Sequence, residues 1–157
     1  MKKLLIFLII IISTKTFSNN NIRLELANLT VQYYKFLSNN DFDELINLVD
    51  NKFSVNGIIN FNTRNDTLNF FKTIYGKSKQ TIELSKISVL NYKEINNIKP
   101  RFINKVLHGK NVLQNNDWIT FINKLRVNGK LTPSKIILIF KPYGRTWLVK
   151  AMYNKDL

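Results

Sequence analysis

The sequence predicts an α+β domain in which three N-terminal helices pack on a mainly antiparallel sheet. Three observations carry this. Apolar residues recur at helical spacing from Ile22 to Tyr75. After Gly76 the apolar period falls to two. The C-terminal third holds two turn sequences, Asn128-Gly129 and Pro142-Tyr143-Gly144-Arg145, each reversing an alternating stretch.

Ile22, Leu26, Leu29, Tyr33, Phe36 and Leu37 share one helical face, so a helix is expected from Ile22 to Leu37. Ser38-Asn39-Asn40 breaks it. Asp41-Phe42-Asp43-Glu44 reads as a capping box: Asp41 would accept from the third amide and Glu44 would return the bond. Leu45, Leu48 and Val49 mark one face of a short second helix. Phe53, Val55 and Ile58-Ile59 predict a short extended piece around Asn56-Gly57. The third helix is expected from Asn65 to Tyr75, with Leu68, Phe71, Ile74 and Tyr75 along it and Gly76 at its end.

In the sheet, Ile82 and Leu84 have one parity and Ile87 and Val89 the other. A β-bulge near Ser85-Lys86 brings them to one face. Residues 91–116 read as an insertion. Pro100 is placed in the first turn of a short helix carrying Phe102, Ile103, Val106 and Leu107 and closed by Gly109. A two-residue Asn128-Gly129 turn pairs Val127 with Lys130, and sets Phe121 opposite Ile136 and Ile119 opposite Leu138. Pro133 requires the start of the return strand to be irregular or at an edge. Pairing Lys141 with Thr146 sets Phe140 opposite Trp147. One face then carries Ile119, Phe121, Leu125, Ile136, Leu138, Phe140, Trp147, Val149 and Ala151.

At 157 residues the chain suits one domain. It has no Cys and one His, which excludes disulfides, thiolate chemistry and multi-histidine zinc sites; no metal and no cofactor is expected. The net charge is +14, from 24 basic and 10 acidic side chains. Of the basic residues 19 are Lys, and Asn numbers 23, a joint excess that codon drift in an AT-rich genome produces. The lysines are spread along the chain, so the charge reads as a solvated basic surface. Nucleic-acid motifs (a Gly-rich phosphate loop, an aromatic RNA-binding signature, a zinc finger) are absent from the sequence, and no nucleic-acid partner is expected.

Met1-Lys2-Lys3 precedes nine apolar residues, Leu4 to Ile12, and then Ser13-Thr14-Lys15-Thr16-Phe17-Ser18. A spanning helix needs about 20 apolar residues. The segment therefore reads as a signal peptide, residues 1–18, with Thr16 and Ser18 as the small residues at the cleavage site. The expected mature domain is 19–157, periplasmic or secreted, with membrane contact only through the signal peptide before cleavage.

The first helix, the Asn39-Asn40-Asp41-Phe42-Asp43-x-Leu45-x-x-Leu48 helix, the Phe53 to Gly57 extended piece, the third helix and a sheet closing in Gly144-Arg145-Thr146-Trp147-Leu148-Val149 resemble the nuclear transport factor 2-like superfamily, including its ketosteroid isomerase-like and SnoaL-like members. The resemblance rests on Tyr33 to Val49, Phe53 to Gly57 and Gly144 to Met152. It implies a cone: a curved sheet wrapped over three helices and enclosing a pocket. Enzymes of the superfamily place an acid, a base or a Tyr in that cone.

The residues here offer no obvious catalyst. Asp41, Asp43, Glu44 and Asp66 are explained as helix-start residues, Asp50 ends a helix, Asp117 precedes a strand, and Glu83 alternates away from the core. His108 reads as a structural or exposed residue. Catalytic residues stay unassigned. Tyr33, Tyr34, Phe53, Phe71, Tyr75 and Trp147 are the candidates for lining a cone pocket, or for filling the core outright. The predicted register leaves Trp118, Ile122, Ile137, Ile139, Leu148 and Met152 on a second apolar sheet face. They form either a homodimer interface or a patch covered by the 91–116 segment. Two functions follow: an exported, non-catalytic binding or accessory protein with a protein partner or small apolar ligand, or a small-molecule isomerase, dehydratase or hydrolase acting in the cone.

Overall fold

A computed structural model of the protein describes residues 2–76, 82–98 and 113–154. Helix α1 spans Lys2–Asn39. It starts well before Ile22 because neither Gly nor Pro stands between Met1 and Asn40 to end it. Its C-terminus is closed by backbone geometry. Asn40 takes φ 62°, its N–H donates to Leu37 O (3.3 Å), and the Asp41 N–H donates to Phe36 O (2.9 Å). This is a Schellman arrangement with Asn in the left-handed position. It also removes the expected capping box: the N–H that Glu44 would accept from is already used, and the Asp41 side chain makes no cap bond.

The second helix is shorter than its pattern suggested. α2 is a single turn, Phe42–Leu45, followed by a 3-10 turn at Ile46–Leu48. Val49 opens strand β1 (Val49–Val55) instead of closing the helix. β1 turns into β2 (Ile59–Asn60) through Asn56 and Gly57, both at positive φ. At Gly57 a Cβ would lie 3.1 Å from the Tyr153 hydroxyl, so both φ and space favour glycine there. Helix α3 (Arg64–Tyr75) is capped by Thr63, whose hydroxyl oxygen accepts from the Asp66 N–H at 3.2 Å.

The remaining strands are β3 (Ile82–Asn91), β4 (Trp118–Val127), β5 (Lys130–Tyr143) and β6 (Thr146–Tyr153), with helix α4 (Tyr92–Ile98) after β3. The sheet order is β2-β1-β6-β5-β4-β3. β1 runs parallel to β6 and every other pair is antiparallel, so the sheet is mixed but mainly antiparallel. The irregularity expected near Ser85-Lys86 is present, between Leu84 and Ile87.

Two registers differ from the sequence reading. Val127 pairs with Lys130, as the Asn-Gly turn requires, but Phe121 pairs with Ile137 and Ile119 with Ile139. The register slips by one between Ile122 and Lys124, beside Pro133, which has no N–H for the ladder. Pro133 also lies where β5 has only β4 beside it, because pairing with β6 begins at Ile137. At the next hairpin Tyr143 pairs with Thr146, so Phe140 faces Val149 and not Trp147. Gly144, at φ 60°, allows this tighter two-residue turn.

A one-residue slip moves every side chain beyond it to the other face. Of the nine residues expected on the helix side, Ile136, Leu138, Phe140 and Val149 are buried in the core against α1–α3, with Trp147 packed on it. Ile119, Phe121 and Ala151 lie on the opposite face, and the Leu125 side chain lies outside the described residues. Conversely Trp118, Ile122 and Met152, expected on the outer face, are in the helix-side core.

The outer face carries Ile119, Ile137, Ile139, Ala151 and Tyr153, and Ile95 of α4 is buried against them. α4 starts with a true capping box. Asn91 Oδ1 accepts from the Glu94 N–H (2.9 Å), and Glu94 Oε2 accepts from the Asn91 N–H (3.0 Å). The segment 91–116 thus covers part of the outer face within one chain, through α4 and Leu113. The helix expected after Pro100, with Phe102, Ile103, Val106, Leu107 and His108, lies outside the described residues.

Candidate functional site

Five of the six predicted pocket residues come together between the helices and the sheet. Tyr33 and Tyr34 come from the inward face of α1, Phe53 from β1, and Phe71 and Tyr75 from α3. Ring centroids are 5.4 Å apart for Tyr33 and Tyr34, 6.2 Å for Tyr33 and Phe71, 5.6 Å for Phe53 and Phe71, and 6.3 Å for Phe71 and Tyr75. Tyr33, Phe53 and Phe71 are among the largest fully buried side chains. Trp147 is not in this group. It is half-buried and meets Trp118 edge-on at 6.4 Å, and the Arg23 guanidinium lies 5.4 Å from the Trp118 ring centre. Arg23 also donates to Val89 O and pairs with Glu94, joining α1 to β3 and α4.

The polar atoms of the interior are mainly hydroxyls. Tyr33 Oη donates to Met152 Sδ at 3.7 Å, and the Thr30 and Thr120 hydroxyls are hydrogen-bonded at 3.0 Å. Tyr34 Oη is buried and has no hydrogen-bond partner. Burial pushes the Tyr33 and Tyr34 hydroxyls well above their ordinary pKa, and the neighbouring tyrosines add to the shift. Burial also pushes Tyr75 up to about 12, against a hydrogen bond with Asn154 that lowers it. These groups hold their protons at neutral pH and can donate a hydrogen bond. They are no base at that pH.

The sheet holds buried carboxylates in another place. Asp117 is 1% exposed and pairs with Lys150 at 2.6 Å; it also accepts from the Gln114 N–H at 2.6 Å. Asp50 pairs with Lys141 at 2.5 Å. Each bridge skips a strand. Lys150 on β6 reaches past β5 to the start of β4, and Lys141 on β5 reaches past β6 to β1. The sequence showed no partner for either acid because the partners are distant in the chain and meet only through the sheet order. Each carboxylate is neutralised by its lysine, so the quartet reads as cross-strand ties.

A groove of about 520 Å3 lies between the β2 edge and α3. Its walls are Ile59, Asn60, Phe61 and Asn62 on one side and Asp66, Asn69, Phe70, Thr73 and Ile74 on the other. Phe61 and Phe70 meet at 5.1 Å along the groove, and Phe61 stacks on Phe53 at 6.4 Å, so the ring layer continues into the core. Sequence reading missed this groove. Ile59, expected in the extended piece, and Ile74, expected along the third helix, are both partly exposed on its walls. The outer-face candidates divide: Trp118, Ile122 and Met152 are in the helix-side core, Ile137 and Ile139 lie in the outer-face cluster that Ile95 covers, and Leu148 is half-buried.

No protein-family model and no curated protein matches the sequence. Solved structures share the fold. A nuclear transport factor 2-like protein of unknown function from Pseudomonas putida aligns with TM-score 0.58 at 9% identity, over 85% of each chain. A protein from Novosphingobium aromaticivorans provisionally called a scytalone dehydratase aligns with TM-score 0.59 at 11% identity, over 88% of this chain and 85% of that one. A provisionally assigned dehydratase of the same fold family from Streptomyces avermitilis aligns with TM-score 0.56 at 10% identity, over 86% and 95%. The chain therefore has the nuclear transport factor 2-like fold.

Proposed function

We propose that this protein is an exported, non-catalytic binding or accessory protein that uses its surface rather than a cone pocket. The observation behind this reading is the contact of Tyr33, Phe53 and Phe71 at the centre of the cone. Ligand pockets are usually clefts of roughly 300–1,000 Å3 with a few convergent polar groups. Here rings from α1, β1 and α3 are buried against one another, which supports a cone filled by side chains. Export rests on the charged start, the short apolar run and the Thr16-x-Ser18 site. Cleavage after Ser18 keeps Ile22 and Arg23, both of which take part in the fold. Mass spectrometry of the chain recovered from its host tests the reading under both denaturing and native conditions. A chain starting at Asn19 without a small-molecule adduct is expected. An adduct that survives dilution, or a mass that retains Met1 to Ser18, contradicts it.

One observation favours the second reading, a dehydratase or isomerase acting in the cone. The Tyr34 hydroxyl is buried, protonated and unpartnered, and such a group can donate to a developing oxyanion. Tyr34→Phe separates the readings. A catalytic role predicts at least about a hundredfold loss of turnover with the fold retained. A packing role predicts no functional change.

A further inference from the structure

We propose that the groove between the β2 edge and α3 binds an extended, non-acidic peptide segment of a partner protein as an added strand. This rests on the reading of a surface-binding protein and gives that surface a place.

The argument starts from the backbone. β2 is an end strand, with β1 on one side and, among the described residues, no strand on the other. The Phe61 N–H donates inward to Phe53 O at 2.8 Å, while Ser54 and Asn60 are directly opposite. Antiparallel pairs alternate between hydrogen-bonded and non-hydrogen-bonded, so the N–H and C=O of Asn60 point to the open side. An extended chain laid there gains main-chain hydrogen bonds, and α3 forms the opposite wall, as in known cases of strand addition.

The side chains set the chemistry. Ile59 is 45% exposed and Ile74 43%, one on each wall of the groove, and Ile58, 77% exposed, stands in the turn just before β2. Phe61 and Phe70 meet from the two walls, and each rests on a buried ring, Phe53 or Phe71, so this part of the groove is already ordered. Asn60, Asn62, Asn69 and Thr73 offer amide and hydroxyl groups that can both donate and accept. The lining contains Asp66 but neither Lys nor Arg, although the chain carries a net charge of +14. An acidic ligand would meet a carboxylate and no cation. A segment of alternating apolar and neutral residues fits the walls, with every second side chain turned to Ile59, Phe70 and Ile74.

The test uses the full-length chain and an array of capped hexapeptides in which apolar (Val, Ile, Leu, Phe) and neutral polar (Ser, Thr, Asn) positions alternate. Matched sets replace one polar position with Glu or one central residue with Pro. Binding is followed by fluorescence anisotropy and by amide shifts of the isotope-labelled protein. The proposal expects saturable binding by a subset of the array, with shifts centred on Asn60, Asn62, Asn69 and Ile74. It expects at least a tenfold loss on Pro or Glu substitution and on Ile59→Lys or Ile74→Lys. Both positions are partly exposed, and retained circular dichroism and melting temperature confirm that each variant folds. Three results overturn it: no hexapeptide binds, binding is indifferent to both Lys variants, or a neutral oligosaccharide such as maltohexaose shifts the same amides while the peptides do not. Any of these leaves the filled cone standing. Entry of a small molecule into the wild-type cone is a separate result and contradicts only the surface-binding reading.

Discussion

Phe53 of β1 and Phe71 of α3 lie with ring centres 5.6 Å apart in the helix-side core, both with almost no exposed surface. Phe71 also touches Tyr33, Phe70 and Tyr75. Removing a ring from such a site costs the transfer energy of the ring and leaves a cavity. Phe71→Ala is expected to destabilise the protein by about 3–5 kcal/mol. Urea unfolding checks this. A loss below about 1 kcal/mol would show that the site collapses or that the ring is not part of the core.

The Asp117–Lys150 pair predicts an asymmetry. Removing Asp117 leaves a lysine without its counter-charge in a largely buried position. Asp117→Ala is expected to cost about 3–5 kcal/mol, and adding Lys150→Met is expected to recover part of the loss. A double mutant no more stable than the single one would contradict the pairing.

Two sequence patterns of the same type had opposite outcomes, and the reason is local. Asp41-x-x-Glu44 matches a capping box but follows a helix that ends in a Schellman arrangement, which uses the Asp41 N–H. Asn91-x-x-Glu94 also matches, follows a strand, and forms both reciprocal bonds. Asn91→Ala is expected to cost about 1 kcal/mol. Asp41→Ala is expected to stay within about 0.5 kcal/mol. Thermal melts of the two variants decide; equal losses would contradict the assignment.

The tyrosine cluster gives an alkaline prediction. Unfolded tyrosine ionises near pH 10, and burial raises Tyr75 to about 12. Between these values the unfolded chain releases protons that the folded chain keeps, so stability falls as pH rises. Tyr33 and Tyr34 shift in the same direction. The urea midpoint should be flat up to about pH 10 and fall toward about pH 12. Tyr75→Phe should remove part of the fall. A midpoint unchanged across this interval would contradict the burial of these hydroxyls.

Much of the fold was legible because its signals are short-range. The helical face of α1, the β3 irregularity, the Asn128-Gly129 turn and the α3 start each depend on residues within a few positions of one another. The β4–β5 faces were not legible. Pro133 announced an irregularity, but nothing in the sequence states that the extra residue lies between Ile122 and Lys124, and that single slip puts Trp118 rather than Ile119 on the helix side of the sheet. The parallel β1–β6 pairing and the Asp50–Lys141 and Asp117–Lys150 bridges depend on sheet order, which local patterns do not encode. Of the aromatic candidates, Tyr33, Tyr34, Phe53, Phe71 and Tyr75 lie together and Trp147 lies apart. Alternation marks it as apolar but cannot say which end of the cone it occupies.

The most direct test of a filled cone is a benzene titration of isotope-labelled wild-type protein and Phe71→Ala, followed by magnetic resonance. A dry cavity the size of a deleted ring binds such a molecule. The account predicts no saturable shifts at Tyr33, Phe53 or Met152 in the wild type, and saturable shifts at these residues in Phe71→Ala. Saturable shifts there in the wild type would show an open pocket and contradict it.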